Sequence, residues 1–110
     1  MFSFLRKFFG LKQNADYAKL VSQGAQLIDV RTPAEYEMDH LPRSLNIPLS
    51  KLPLQLADIQ KDKPVILYCG SGMRSAQARR ILMSNGFKEV YNGGGLRELR
   101  KMINTSSPTR

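Results

Sequence analysis

Cys69 is the only cysteine in the chain, and it closes the apolar run PVILYC (64–69) just before the small residues Gly70, Ser71 and Gly72 and then Met73, Arg74 and Ser75. A strand that ends on a thiol, followed by a tight small-residue turn and a helix start near Ser75, lets several backbone N–H groups converge on one sulfur. Such a cradle favours negative charge. A free thiol titrates near pH ~8.5, and helix N-termini with nearby cations bring that down to roughly 3.5–7.5, which makes thiolate abundant at neutrality. The expected chemistry is nucleophilic attack by a reachable sulfur anion. Arg74 supports it, because a cation at a helix N-terminus opposes the macrodipole unless an anion sits close by. Its guanidinium would hold the loop or bind an anion. The plain alternative is a cysteine serving as apolar strand filler, a common fate of an unpaired thiol. The glycines, the arginine and the helix start argue instead for reactivity.

Asp29 and Arg31 flank the end of the apolar segment AQLIDV (25–30), and Thr32, Pro33 and Glu35 then read as a capping box with proline in the first helical turn. Ligands of open parallel sheets gather at the carboxyl ends of the strands. Asp29 and Arg31 could therefore face the same crevice as the Cys69 loop, although distant from it in sequence. Glu35 is accounted for by the capping box. His40, the single histidine, has no carboxylate or cysteine at ligand spacing and reads as a loop-packing residue, so no metal site is expected.

The elements that must position these residues follow from periodicity and punctuation. NADYAKLVSQG (14–24) reads as a short helix capped by Asn14 and stopped by Gly24. AQLIDV, SLNIPL (44–49), PVILYC and KEVYN (88–92) read as strands. The continuous apolar character of PVILYC is that of a central strand buried on both faces of a parallel sheet. SKLPLQLADIQ (50–60) reads as a Ser50-capped helix interrupted by proline. A helix capped by Ser75 places Ala78, Ile81 and Leu82 on one face and ends at Asn85 and Gly86. Gly93–Gly95 reads as a loop, and LRELRKMI (96–103) as a last helix with a polar tail from Asn104. Strands alternating with helices indicate an α/β layer structure.

With these residues in place, the chain resembles the single-domain rhodanese (sulfurtransferase) family from about Asp16 to Met102. The resemblance rests on LIDVRTPAEYEMDHLPRSLNIPL (27–49), PVILYCGSGMRSAQA (64–78) and GFKEVYNGGG (86–95). It implies a rhodanese-like α/β fold with a parallel five-stranded sheet flanked by helices on both faces, and a two-step transfer without metal or organic cofactor. In that scheme Cys69 is the nucleophile, which becomes a persulfide, and Gly70, Ser71, Gly72, Met73 and Arg74 complete the loop, with Ser75 just beyond. Asp29, in the family's DVR element, is expected to accept hydrogen bonds that fix the loop, and Arg31 to assist donor binding or pair with a neighbouring carboxylate. The implied donor is a small anion (thiosulfate, 3-mercaptopyruvate) or a persulfide. The implied acceptor is cyanide, glutathione or another thiol, or a thioredoxin-like protein. Two departures stand out: DHL at Asp39–Leu41 where many members have GHI, and Gly70 and Ser71 where thiosulfate-using members often carry Arg or Lys. The string CGSG is closer to 3-mercaptopyruvate sulfurtransferases. Two rival readings are a rhodanese-like binding or sulfur-carrier module with an incidental thiol, and a phosphatase or arsenate reductase. The four-residue spacing from Cys69 to Arg74 is short for enclosing a phosphate.

At 110 residues and 42% apolar the chain fits one folded domain, with expected limits 15–103, a leading segment 1–14 and a tail 104–110. A single cysteine excludes an internal disulfide. The formal charge of +8 is uneven, with eight Lys/Arg against two Asp/Glu from residue 70 onward. That bias suits a small anion more than nucleic acid, since no aromatics interleave with the basic residues there. In residues 1–14, Met1, Phe4, Leu5 and Phe8 would share one helical face beside Arg6 and Lys7. This segment lacks the pattern of a secretory signal. A cytoplasmic protein is expected, with peripheral contact at the inner membrane surface through residues 1–14 or packing of that segment on its own domain.

Overall fold

The computed structural model describes residues 15–105; the expected Asn14 cap and the amphipathic segment 1–14 lie outside them. Helix α1 (Tyr17–Ser22) is capped by Asp16, whose side chain accepts from Lys19 N at 3.1 Å. Next come β1 (Gln26–Asp29), α2 (Pro33–Met38) and β2 (Leu45–Asn46). Two 3-10 segments, Leu49–Leu54 and Leu56–Asp58, lead to β3 (Val65–Cys69), α3 (Met73–Ser84), β4 (Val90–Gly95) and α4 (Leu96–Thr105).

The four strands described are all parallel, in the order β2-β1-β3-β4. The resemblance implied five, whereas the residue pattern itself had located four. The stretch 50–60 is 3-10 rather than the expected Ser50-capped helix, and no side chain caps it. Pro53 explains the difference, because it lacks the donor for an α-helical bond and its ring crowds the carbonyl four residues back. Gly93–Gly95, expected as a loop, instead extends β4.

Alternation along β3 assigns its side chains to two cores. Val65, Leu67 and Cys69 pack with Val30, Ile47, Leu52, Ile59, Ala78, Leu82 and Phe87. Ile66 and Tyr68 pack on the other face with Tyr17, Leu41, Leu96 and Leu99. All five β3 residues are buried, which accounts for the unbroken apolar run. Each such aliphatic side chain contributes about 1.5–3 kcal/mol by leaving water. Cys69 therefore points toward α3, at the carboxyl end of a strand held on both faces. Among the described residues no helix is long and apolar enough to cross a membrane.

Candidate active site

The loop after β3 folds back over its own cysteine. Gly72 adopts φ +101°, the left-handed region that glycine enters without steric penalty. That turn aims the Gly72 N–H at Cys69 Sγ, 2.9 Å away. Helix α3 then begins at Met73 with Gly72 as its N-cap, three residues before the cap expected at Ser75. Ser75 is consequently not the cap but a buried residue of the first turn, with its Oγ 3.5 Å from Sγ. Burial pushes the Cys69 thiol up, while the Ser75 hydroxyl and the N–H groups of Ser75, Gly72 and Ser71 pull it down. The hydrogen bonds win, and the thiol lies below its ordinary value. Against the expectation of a reachable sulfur, Cys69 has 0% exposed surface. Gly70, Ser71 and Met73 of the same loop are exposed.

β4 completes the wall. Its pairing with β3 slips between Leu67↔Asn92 and Cys69↔Gly95, so β4 spends an extra residue there, a bulge of the kind that re-aims side chains beside active sites. Gly95 lies so close that a Cβ on it would sit 2.5 Å from the Gly70 carbonyl oxygen and 2.7 Å from Glu98 Oε1. Asn92, buried, is aimed at the loop: its Nδ2 donates to Gly72 O at 3.1 Å and its Oδ1 accepts from Ser75 Oγ at 2.6 Å and from Gly94 N at 3.0 Å. Sequence reasoning passed over Asn92 as an ordinary strand residue. The hint available was a polar side chain at the end of a strand, directly before three glycines.

Asp29 and Arg31 form a buried pair with each other rather than with the loop. Arg31 Nε and its terminal nitrogen donate to the Asp29 carboxylate, the closest contact being 2.7 Å, and Arg31 N donates to Asp29 Oδ1 at 2.9 Å. Arg31 also donates to Asp39 O and lies 5.8 Å from the Tyr68 ring centroid. The expected bonds from the loop to Asp29 are not made; its carboxylate is taken up by Arg31, leaving the backbone and Asn92 to fix the loop. Tyr68 accepts from Leu41 N at 3.0 Å, and burial raises its phenol to about 12.

Arg74 reaches across to α2. Its two terminal nitrogens donate to the Glu35 carboxylate at 2.7 and 3.0 Å, a bidentate pair. Glu35 Oε1 also accepts from Thr32 N at 2.9 Å, while Thr32 Oγ1 accepts from Glu35 N, so the expected capping box is present and carries a second duty. Arg74 first, then the Thr32 backbone, hold the Glu35 carboxyl down at about 2. His40 stacks on Tyr36 with centroids 3.7 Å apart. Among the described residues there is no cluster of three or more His, Cys, Asp or Glu that could hold a metal.

The rhodanese-like domain model matches residues 13–101. The chain is 50% identical over 68 residues to the uncharacterized protein YqhL of Bacillus subtilis, a match covering 62% of this chain and 54% of that protein. It therefore spans little more than half of that relative's length. It is 39% identical over 74 residues to the thiosulfate sulfurtransferase PspE of Escherichia coli, covering 66% of this chain and 71% of that one. Among solved structures, a rhodanese with anions from E. coli superposes with TM-score 0.61 and 38% identity, over 68% of this chain and 91% of that chain. The parallel sheet, the loop wrapped on Cys69 and these matches agree, and the chain belongs to the rhodanese-like domain family.

Proposed function

We propose that the protein is a rhodanese-type sulfurtransferase in which Cys69 carries sulfur between a small anionic donor and a nucleophilic acceptor. The observation that carries this reading is the short Gly72 N–H bond to Cys69 Sγ, within a loop whose N–H groups favour the sulfur anion. In the first step the thiolate attacks the outer sulfur of thiosulfate. The new S–S bond forms as the S–SO3 bond breaks, and sulfite leaves with the electron pair. In the second step an acceptor thiolate attacks the outer sulfur of the Cys69 persulfide and departs as a persulfide itself, regenerating the Cys69 thiolate; cyanide would depart as thiocyanate. The chemistry is covalent catalysis by a nucleophile whose charge is stabilised at each stage.

In the persulfide stage the sulfur to be transferred lies one S–S bond, about 2 Å, beyond Sγ. Thiosulfate is supported by PspE, and 3-mercaptopyruvate by the CGSG string. Glutathione or a thioredoxin-like protein would supply the acceptor thiol. Intact-mass measurement after incubation with each donor tests the reading: wild type should gain one sulfur and Cys69→Ala none. A wild type that stays unmodified with thiosulfate, 3-mercaptopyruvate and a low-molecular-weight persulfide would make it a binding module instead.

A further inference from the structure

Ser75 Oγ sits between two groups that compete for one proton. Its distance to Asn92 Oδ1 is 2.6 Å and to Cys69 Sγ 3.5 Å. The Asn92 amide cannot be turned around: Gly94 N–H fixes its oxygen and Gly72 O fixes its nitrogen, and a flip would set donor against donor and acceptor against acceptor. An amide oxygen has no proton to give. Ser75 is therefore the donor in the short bond, and it turns only lone pairs toward Sγ. In that arrangement Ser75 accepts the S–H of a neutral thiol, which favours the wrong protonation state for a nucleophile. Only when the Ser75 proton swings from Asn92 to the sulfur does the hydroxyl support the anion, and it is in that state that it draws the Cys69 thiol down.

We propose that Asn92 is a positioning residue that acts on Cys69 through Ser75, holding the hydroxyl proton while the sulfur is protonated and yielding it when the sulfur becomes an anion. This deepens the sulfurtransferase reading and rests on it for its use in turnover. The swing is a rotation of one hydroxyl about its C–O bond, with no bond to a heavy atom made or broken. While the proton is on the sulfur side, Asn92 Oδ1 retains Gly94 N–H as its donor. The bulge in β4 serves this arrangement, because it brings the Asn92 side chain and the Gly94 N–H to the same place.

The charged groups around the sulfur are Arg74 on α3, Glu35 of α2 paired with it, the Asp29–Arg31 pair at the end of β1, and Glu98 of α4, whose carboxylate would touch a Cβ on Gly95. All stay in place in the variants below, so differences among variants report the hydroxyl.

The test is the pH profile of Cys69 alkylation by iodoacetamide in the full chain, measured for wild type, Asn92→Leu, Ser75→Ala and the double variant. Asn92→Leu frees the Ser75 proton for the sulfur, and the inflection should fall by about one pH unit, a charge-assisted bond having replaced a neutral one. In the Ser75→Ala background the same substitution should leave the inflection where it is. A purely structural role predicts the reverse: loss of the Gly72 and Gly94 tethers loosens the cradle, and the inflection rises whether or not Ser75 is present. An unmoved or rising inflection, or an equal fall in both backgrounds, overturns the proposal. Circular dichroism shows whether Asn92→Leu folds, and where it does not, Asn92→Asp replaces it. The carboxylate keeps the acceptor and grips the proton harder, so the inflection should rise, and rise less without Ser75. An equal rise would mean simple charge repulsion and would also overturn the proposal. Sulfur loading from thiosulfate is read in parallel by mass. Failure of loading in wild type with the alkylation pattern intact would sink the transfer reaction and leave the Asn92 assignment standing.

Discussion

Gly72 concentrates the site's conformational demand in one residue. Its φ of +101° and the 2.9 Å bond from its N–H to Sγ are one feature, since rotating the backbone out of the left-handed region would swing the N–H off the sulfur. Space is short as well: a Cβ on Gly72 would meet Gly94 Cα at 3.3 Å. Gly72→Ala should therefore act twice. The left-handed conformation costs a side-chain-bearing residue roughly 1–2 kcal/mol, which lowers the unfolding midpoint in urea. Any relaxation of that strain moves the N–H away and weakens the hold on the sulfur anion, so the alkylation inflection should rise. Stability loss with an unchanged inflection would mean that the Gly72 N–H contributes nothing to thiol acidity.

Helix α2 and the Cys69 loop are joined by Glu35, which closes the capping box of its own helix while gripping Arg74 of α3. Glu35→Gln separates these duties, because glutamine can close a capping box but cannot form the ion pair. At neutral pH the loss should be small, at most about 1 kcal/mol, since both partners are more than a third exposed and solvent screens them. The acid limb is more telling. A carboxyl held at about 2 in the fold and near 4.5 when unfolded adds stability that is complete above pH ~4.5 and fades as the pH falls toward 2. Thermal unfolding of the variant should lack that increment, and the two curves should converge at the acid end. Release of Arg74 also supplies the loop with a cation, so the KM for thiosulfate in sulfur loading should fall several-fold. A KM unchanged or raised would mean that Arg74 holds the loop and never meets the donor.

Much at this scale was legible in the chain. The strand ending on Cys69 showed as an unbroken apolar run, and the start of α2 showed as Thr32, Pro33 and Glu35, because these are local signals. Ser75 was misplaced because the true cap, Gly72, works through its backbone and has no side-chain oxygen to announce it. The 3-10 segments were read as a helix from their leucines, and Pro53 overrode that pattern. Asn92 and the second duty of Glu35 stayed hidden for a common reason. Each depends on a partner brought close only by tertiary packing, across a register slip in one case and between two helices in the other.

The chain as a whole is strongly positive, while the cations nearest the site are already engaged. The chain carries +8, yet Arg31 is taken by Asp29 and Arg74 by Glu35, and Gly70 and Ser71 of the loop carry no charge. Attraction of an anionic donor should then come from distant charges more than from a direct contact, and distant charges are the ones that salt screens. The Debye length shrinks from about 30 Å at 0.01 M to about 8 Å at 0.15 M, so most of a diffuse attraction is removed over that range. Two alkylating reagents read this at the same sulfur: iodoacetate carries a negative charge and iodoacetamide carries none. The iodoacetate rate should drop several-fold between those salt concentrations, with the iodoacetamide rate nearly constant, and thiosulfate loading should follow iodoacetate with a steeper slope because it is a dianion. Equal salt dependence for both reagents would place the attraction in short-range contacts. In that case Arg74 would be leaving Glu35 to meet the donor, and the salt response of Glu35→Gln would match that of wild type.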